Sequence, residues 1–326
     1  MKFKNIAIIT AFITAIVLPL IMQASANYYA IHVLGLLGIY AILCVGLNIT
    51  IGYTGLLDLG FMAFYAIGAY IGIILSAKGI SFWYIIPISL FIGGTFRYLL
   101  GAPVLRLRGD YLAIVTLAFG EITRLLLNNL DFLTNGPKGL PRVGETVLPI
   151  SIFSFTLRND IHFYYLIVFF LALAIIVSYR LEHSRLGRAF VAIREDETAA
   201  ELSGINVSNT KLLAFVISGM FGSLAGTIYA HWIGFISPES FTFWESIFLV
   251  CMLVIGGMGS ISGAILGAFI LAGIPEFLRP VLGSGFIDYR MLIFGLLLVV
   301  VIIFRPQGLL PSKRRNLELR MNKNSE

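Results

Sequence analysis

The sequence has few charged residues, and no polar stretch in it is long enough to fold as a soluble domain of useful size. Asp, Glu, Lys and Arg make up 12% of its 326 residues, whereas soluble domains have about 25%. Apolar residues make up 58%, and the mean hydropathy is +0.92. This composition indicates a polytopic membrane protein. The net charge of +6 is therefore interpreted through the distribution of Lys and Arg across a membrane, not as affinity for nucleic acid.

Cysteine and histidine are scarce, and a nucleotide-binding motif is absent. Cys44 and Cys251 both lie in apolar runs, which predicts buried packing residues rather than a disulfide or a metal pair. Four scattered histidines do not suggest a metal site. The sequence contains no Gly-x-x-x-x-Gly-Lys-Ser/Thr, the P-loop pattern that binds ATP, and no nucleophile–base group that indicates an enzyme. If ATP drives this protein, we expect the nucleotide on partner subunits and no cofactor in this chain.

Apolar segments follow one another along the chain. A membrane-spanning helix needs about 17–25 such residues, so we predict an all-α polytopic membrane protein with about 10 transmembrane or partly broken helices, in a single domain over residues 1–326. The first segment, between Lys4 and Ala24-Ser25-Ala26, also resembles a secretory signal; a retained helix is preferred, and cleavage stays open. The ten segments lie near residues 5–22, 28–51, 55–75, 82–104, 110–130, 161–180, 211–232, 243–256, 261–279 and 290–304.

The positive charges predict an orientation. With ten crossings and the N-terminus inside, 16 of the 23 Lys and Arg residues, Arg97 among them, fall on the cytoplasmic side. Fusing residues 243–279 into one span would place the basic tail, residues 305–326, outside. We therefore expect cytoplasmic termini, a cytoplasmic 181–210 and an external 131–160.

Two glycine clusters resemble each other. Ile51-Gly-Tyr-Thr-Gly55 and Ile255-Gly-Gly-Met-Gly259 share the pattern Ile-Gly-x-x-Gly, and each stands between an apolar run and a helix rich in Gly and Ala. Each cluster is predicted to be a turning or broken point. Paired glycine-interrupted segments predict two pseudo-related halves and a transport path. The alternative is tight helix packing without a path.

Polar residues inside apolar segments are costly and therefore suggest function. Asp58 has an alternative role as the cap of the helix that follows it. Glu121 and Arg124 share a helix face, so an ion pair that serves packing alone is also open. His231 and Glu245 are interpreted as interfacial. The candidates for a substrate path are Asn48, Thr54, Asp58, Glu121 and Arg124.

Residues 184–210 form the longest strongly charged segment. We expect a short amphipathic helix with Asp196 as N-cap and Gly204 as a left-handed C-terminal cap. Apolar contacts are expected from Phe190, Ile193, Ala200 and Leu202. Exposure to solvent is expected for Arg188, Arg194, Glu197 and Glu201. Such a helix can bind in a groove of a soluble partner; an ordinary solvated loop is the alternative. The candidate coupling residues are Arg188, Arg194, Glu197, Ala199, Ala200 and Gly204.

Several motifs resemble a known family. AAELSG is similar to the Glu-Ala-Ala-x-x-x-Gly loop of ABC-importer permeases, although Thr198 stands where the Glu would be and Glu197 one place early. Further stretches look like the LivM-type permease of branched-chain amino-acid ABC importers, in that family's order over most of residues 40–310. They are GLNITIGYTGLLDLGFMAFYAIGAY, RGDYLAIVTLAFGEITRLLLNN, TNGPKGL, GRAFVAIREDETAAELSGINV, SPESFTFWESIFLVCMLVIGGMGSISGAILGA and RPQGLL.

This resemblance implies a permease domain in a bacterial cell membrane that carries leucine, isoleucine or valine. It also implies a LivH-type permease chain, two cytoplasmic ATPase subunits and an extracytoplasmic binding protein as partners. Related permeases for urea, short amides or other amino acids look similar, and a secondary transporter without an ATPase is a further alternative. The expected mechanism is alternating access: the binding protein docks at residues 131–160 and 234–245, and the ATPases push on residues 184–210.

Overall fold

The computed structural model describes residues 28–105, 109–141, 149–150, 155–156, 159–282, 305 and 307–311, and a few isolated positions outside these ranges. Within them the chain is almost entirely helical. Its long helices are α1 (Tyr28–Leu47, continued by a π-helical turn over Asn48–Tyr53), α2 (Phe61–Ala77), α3 (Phe82–Val104), α4 (Asp110–Asn129), α6 (Asp160–Glu182), α9 (Val207–Ile233), α10 (Phe243–Gly256) and α11 (Ile261–Leu282).

Short elements join these helices. The short helices are α5 (Asp131–Thr134), α7 (Arg185–Glu195) and α8 (Glu197–Leu202), with 3-10 turns at Gly136–Lys138 and Pro238–Phe241. The two-residue strands are β1 (Leu140–Pro141), β2 (Pro149–Ile150), β3 (Phe155–Thr156) and β4 (Phe235–Ile236). β1 pairs with β4 and β2 with β3, both antiparallel.

The predicted all-α polytopic fold is confirmed. Six helices are long and apolar enough to cross a membrane, and Phe61–Ala77 and Ile261–Glu276 are shorter apolar helices. These eight correspond to eight of the ten predicted segments. The predicted segments at 5–22 and 290–304 lie, apart from isolated positions, outside the described residues, as does the basic tail from residue 312. Whether the first segment is retained stays open.

Helix α9 is the centre of the described bundle. It runs antiparallel to α1, because Gly35 lies against Trp232 and Gly46 against Phe221. A Cβ atom added at Gly68 of α2 would come 2.2 Å from the carbonyl oxygen of Ser223, so only glycine permits this approach. The short distance allows hydrogen bonds between the helices, such as Thr227 Oγ1 to the Gly68 carbonyl at 3.0 Å. Small residues that bring backbones together are the usual basis of helix packing in membranes.

Each glycine cluster reverses the chain, as predicted. Helix α2 runs parallel to α9, with Phe64 near Gly222 and Gly72 near His231, whereas α1 is antiparallel to α9. The chain therefore turns back over residues 54–60, which we call the first reversal. Helices α10 and α11 form a hairpin, and residues 257–260 between them are the second reversal, with Gly257 at φ +121°. The pseudo-related halves stay a prediction.

The two ends of the bundle differ in character. Helices α7 and α8 lie at one end, which we call the charged end because it carries residues 184–210. At the opposite end, β1 and β4 pair Leu140 with Ile236. This pairing joins the loop after α4 to the segment after α9, the two segments that we expect to receive a binding protein.

Candidate functional site

The π-helical turn that precedes the first reversal contacts the second reversal inside the bundle. The Asn48 side chain accepts a hydrogen bond through Oδ1 from the Gly259 backbone N–H at 2.8 Å. A Cβ atom added at Gly52 would come 2.7 Å from the same nitrogen. The similarity between the two Ile-Gly-x-x-Gly clusters therefore corresponds to a contact in space. We call this contact the reversal junction.

Further hydrogen bonds hold the reversal junction. The Thr54 hydroxyl, at the end of the π-helical turn, donates to the Thr50 carbonyl at 2.6 Å. The Leu310 N–H donates to the Gly256 carbonyl at 2.9 Å, so the RPQGLL segment closes over the second reversal. Asn48 and Thr54 are both buried, and Asn48 Nδ2 has no hydrogen-bond partner among the described residues. These two path candidates thus lie inside the fold near the reversal junction rather than on a surface of the chain.

Asp58 forms a completely buried ion pair with Arg97. Arg97 Nη2 donates to Asp58 Oδ2, and both side chains are 0% exposed. The guanidinium carbon lies 4.3 Å from the ring centre of Phe64 and 4.2 Å from that of Phe215. Such cation–π contacts stabilise a desolvated arginine. The pair therefore links the first reversal to α3 and α9.

The positions of Asp58 and Arg97 correct one expectation and support another. The charge count placed Arg97 on the cytoplasmic side, but it lies inside the bundle, because it neutralises a carboxylate 39 residues earlier in the chain. The alternative role of Asp58 as a cap has a basis in the contacts, since its Oδ1 accepts from the Gly60 N–H at 3.2 Å, just before α2.

Glu121 and Arg124 form the ion pair that their spacing predicted. Arg124 Nε donates to Glu121 Oε1 at 2.9 Å, and Arg124 Nη2 donates to the same oxygen. The side chains of Glu121 and Arg124 are 37% and 24% exposed. Glu121 also lines a shallow cleft between α4, the start of α2 and the segment before α10. The Asp58–Arg97 and Glu121–Arg124 pairs thus differ sharply in burial.

The charged segment contains two helices, where we expected one. Ser184 Oγ accepts from the Gly187 N–H at 3.1 Å and begins α7. Asp196 Oδ1 accepts from the Thr198 and Ala199 N–H groups at 2.8 and 3.0 Å and begins α8, which confirms its predicted role as N-cap.

The end of α8 also follows the prediction. Gly204 has φ +83°. The Gly204 N–H donates to the Glu201 carbonyl at 2.9 Å, and the Ile205 N–H donates to the Ala200 carbonyl at 3.1 Å. These two bonds form the Schellman motif, which favours glycine at the left-handed position.

The apolar side chains of α7 and α8 point in two directions. Phe190, Ile193 and Ala200 are buried in the bundle, whereas Leu202 is 85% exposed. The side chain of Ala200 is therefore not available to a partner, contrary to its place among the docking candidates. Among the other candidates, Arg188 and Ala199 are exposed.

The Glu197 side chain is 41% exposed, as expected, whereas Arg194 is only partly exposed, and both have a partner within the fold. Arg194 Nη1 donates to the Gly52 carbonyl, and Glu197 pairs with Lys211 Nζ, whose side chain is 5% exposed. Gly52 lies in the last turn before the first reversal, where carbonyl groups lose their helical partners. A chain of contacts therefore runs from α7 through Gly52 and Asn48 to Gly259. No sequence motif indicates it.

The fold and these contacts define a polytopic α-helical membrane protein in which two broken helical segments meet and a charged helical segment contacts their junction. This arrangement is typical of a transporter. The family model described as "Branched-chain amino acid transport system / permease component" matches residues 29–302, and the chain belongs to this family. It is therefore a permease component of a transport system rather than an enzyme.

Several curated relatives are similar over most of the chain. The LivM permease of Escherichia coli (strain K12) is 44% identical over 302 residues, covering 86% of this chain and 70% of that protein. The BraD permease of Pseudomonas aeruginosa is 29% identical, with coverages of 83% and 91%. The LivH permease of E. coli K12 is 27% identical, with the same coverages. All three are named high-affinity branched-chain amino acid transport system permease proteins. No solved structure matches.

Proposed function

We propose that this chain is the LivM-type permease subunit of an ATP-driven importer of leucine, isoleucine and valine in a bacterial cell membrane. The observation that carries the proposal is the 44% identity over 302 residues to a permease named for high-affinity branched-chain amino acid transport. Permeases for urea, short amides or other amino acids are the alternative within the class. A secondary transporter is a more distant alternative.

The proposed partners follow from the same relationship. LivM and LivH carry the name of one transport system and are both similar to this chain, so a LivH-type chain is the proposed second permease. Two cytoplasmic ATPase subunits would bind ATP, and an extracytoplasmic binding protein would select the substrate. The permease chain then contributes the path and needs no cofactor of its own.

The charged end is the proposed surface for an ATPase subunit. An open groove of about 510 Å³ lies beside α8 and the start of α9, lined by Glu201, Gly204 and Lys211 among others. The exposed side chain of Leu202 stands on the same helix. An apolar side chain beside a polar groove suits a partner that buries one anchor residue.

Arg194 offers a way for a movement of α7 to reach the path. Its guanidinium bonds the Gly52 carbonyl, so a displacement of α7 would pull on the first reversal. Asn48 would pass this displacement to Gly259 in the second reversal. Alternating access requires such a linked movement of two bundle elements. Arg194, Gly52 and Asn48 are therefore the proposed coupling route.

The proposed orientation has the charged end and both termini in the cytoplasm. Single cysteines at Lys138 and Lys313, in a variant without Cys44 and Cys251, test it with a membrane-impermeant thiol reagent in intact cells. We expect labelling at position 138 only. Labelling at position 313 from outside would contradict the orientation.

Reconstitution tests the function itself. The chain, a LivH-type permease, the ATPase pair and the binding protein are placed in vesicles with ATP inside, at the face of the charged end, and labelled leucine is offered on the opposite side. We expect uptake that requires both ATP and binding protein, with isoleucine and valine as competitors and urea without effect. Uptake driven by an ion gradient in the absence of the ATPase subunits would contradict the proposal.

A further inference from the structure

Helix α4 is the least covered of the candidate spans. Only 22% of the residues in its 18-residue apolar stretch are buried inside the described fold, against 83% in the corresponding stretch of Tyr28–Tyr53. Its exposed residues recur every three or four positions and form one continuous stripe. The stripe consists of Tyr111, Ile114, Ala118, Ile122, Leu125 and Asn129. The described part of the chain leaves this face, which we call the α4 face, without a covering element.

The Glu121–Arg124 pair lies beside the α4 face at mid-depth, and both side chains are partly exposed. Glu121 lies ten residues after Tyr111 and eight before Asn129, so it is about 15 Å from one end of the span and about 12 Å from the other. A charged side chain that faces lipid at this depth has a high free-energy cost, so such side chains usually face other protein or water. Two side chains that remain 37% and 24% exposed therefore argue against a lipid environment for this face.

The exposed face of α6 provides a contrast. In the middle of α6 the exposed side chains, Phe169, Leu173, Ile176 and Val177, are all apolar, and the exposed Arg180 follows only in the last turn. Such a face suits lipid and needs no other partner. The difference between α4 and α6 thus lies in the depth of the charges, which are at mid-depth in α4 and in the last turn in α6.

Within the pair, Glu121 can still accept further hydrogen bonds and Arg124 can still donate further ones. A single oxygen of Glu121, Oε1, accepts both hydrogen bonds from Arg124. The other carboxylate oxygen and Arg124 Nη1 make no hydrogen bond within the part of the chain that the structure describes. An α-amino acid in water carries an ammonium and a carboxylate group, which complement a carboxylate and a guanidinium respectively.

We infer that the Glu121–Arg124 pair is a binding point for a zwitterionic α-amino acid on a water-filled path, at a face that the second permease chain covers. The α-carboxylate pairs with Arg124 and the α-ammonium with Glu121, so the substrate replaces part of the contact between the two side chains. The inference rests on the proposed function, because it takes the substrate and the second permease from it. It adds the face of the chain and the two side chains that meet the substrate.

Thiol accessibility tests the path. Ile122→Cys on the α4 face and Ile176→Cys on the α6 face are matched, because their side chains are 53% and 56% exposed. Both are made without Cys44 and Cys251 and assembled into the complete importer in vesicles. We expect a charged methanethiosulfonate reagent to label position 122 at least tenfold faster than position 176. Leucine-loaded binding protein with ATP should slow labelling at position 122 at least threefold, relative to empty binding protein with ATP.

A paired substitution tests the binding point. Glu121→Gln combined with Arg124→Gln removes both charges and leaves neither one unpaired. We expect at least tenfold less leucine uptake at an unchanged yield of assembled complex. Arg124→Lys keeps the charge and should lose less than Arg124→Gln.

The outcomes separate the two proposals. If the wild-type importer in these vesicles does not take up leucine, the proposed function fails. If it does, equal labelling of positions 122 and 176, labelling unaffected by leucine, or uptake by the paired variant within twofold of wild type would each overturn the inference.

Discussion

Two of the ion pairs in the described part of the bundle, Asp58–Arg97 and Glu121–Arg124, differ in how far the fold covers them. Asp58 and Arg97 are both 0% exposed and lie among aromatic rings, whereas Glu121 and Arg124 are 37% and 24% exposed on the least covered span. A buried charge that loses its partner has no water to replace it. A partly exposed pair loses little, because its charges remain partly solvated. We therefore expect the first pair to serve the architecture and the second to be available to a ligand.

The comparison also orders the expected effects on stability. Removing one member of a buried ion pair costs about 3–5 kcal/mol, whereas a pair three residues apart on a helix surface contributes about 0.2–0.5 kcal/mol. Among variants that still assemble, substitutions in the Glu121–Arg124 pair should lower transport more than substitutions in the Asp58–Arg97 pair. Substitutions of other side chains should have effects on stability that lie between those of the two pairs.

Asp58→Asn should have the largest effect on the fold. It leaves the Arg97 guanidinium buried without a counter-charge, so we expect a loss of about 3–5 kcal/mol and little assembled complex. Size-exclusion chromatography and thermal unfolding in detergent measure both quantities. Asp58→Leu combined with Arg97→Met removes the two charges together and should recover part of the yield. If Asp58→Asn assembles like wild type, the expected difference in stability between the two ion pairs is contradicted.

Arg194→Gln should have the next largest effect. Arg194 bonds a backbone carbonyl, and a hydrogen bond to a charged group contributes about 1.5–3 kcal/mol. The complex should assemble, but the amount of leucine transported per ATP hydrolysed should fall at least fivefold, because α7 no longer holds the first reversal. Arg185→Gln is the matched control: Arg185 is exposed in the same helix, and its loss should leave this ratio within twofold. An unchanged ratio in Arg194→Gln would refute the proposed coupling route.

Gly204→Val tests the end of α8 without changing a charge. The backbone at φ +83° is unfavourable for a β-branched residue, and we expect a local cost of about 1–2 kcal/mol. Apart from the adjoining residues, no heavy atom lies within 4 Å of an added Cβ, so the effect comes from the backbone and should stay near α8. Stimulation of the ATPase by loaded binding protein should fall, while ligand affinity of the binding protein stays unchanged. Stimulation at the wild-type level would show that residues 184–210 do not carry the coupling.

The sequence predicted the helices well, because their signal is local. The apolar runs at 82–104 and 243–256 have the same limits as α3 and α10, and the caps at Asp196 and Gly204 follow from residue types at fixed positions. The Glu121–Arg124 pair was predictable for the same reason, since three residues along a helix bring two side chains together.

Contacts between distant segments could not be predicted in this way. The partner of Asp58 lies 39 residues away, and Arg194 binds a carbonyl group 142 residues earlier. A backbone carbonyl has no residue-type signal at all, so only the folded structure shows that Arg194 has a partner there. Ala200 and Leu202 illustrate the same limit: both are apolar, yet one faces the bundle and the other faces solvent.

The most direct test of the contrast between the two ion pairs measures complex yield and leucine uptake together, in one set of vesicles. Asp58→Asn and the paired variant Glu121→Gln with Arg124→Gln are compared with wild type. We predict that Asp58→Asn loses most of the assembled complex, whereas the paired variant keeps the yield and loses at least tenfold in uptake per complex. A paired variant that keeps wild-type uptake, or an Asp58→Asn variant that assembles fully and fails only in uptake, would contradict the account.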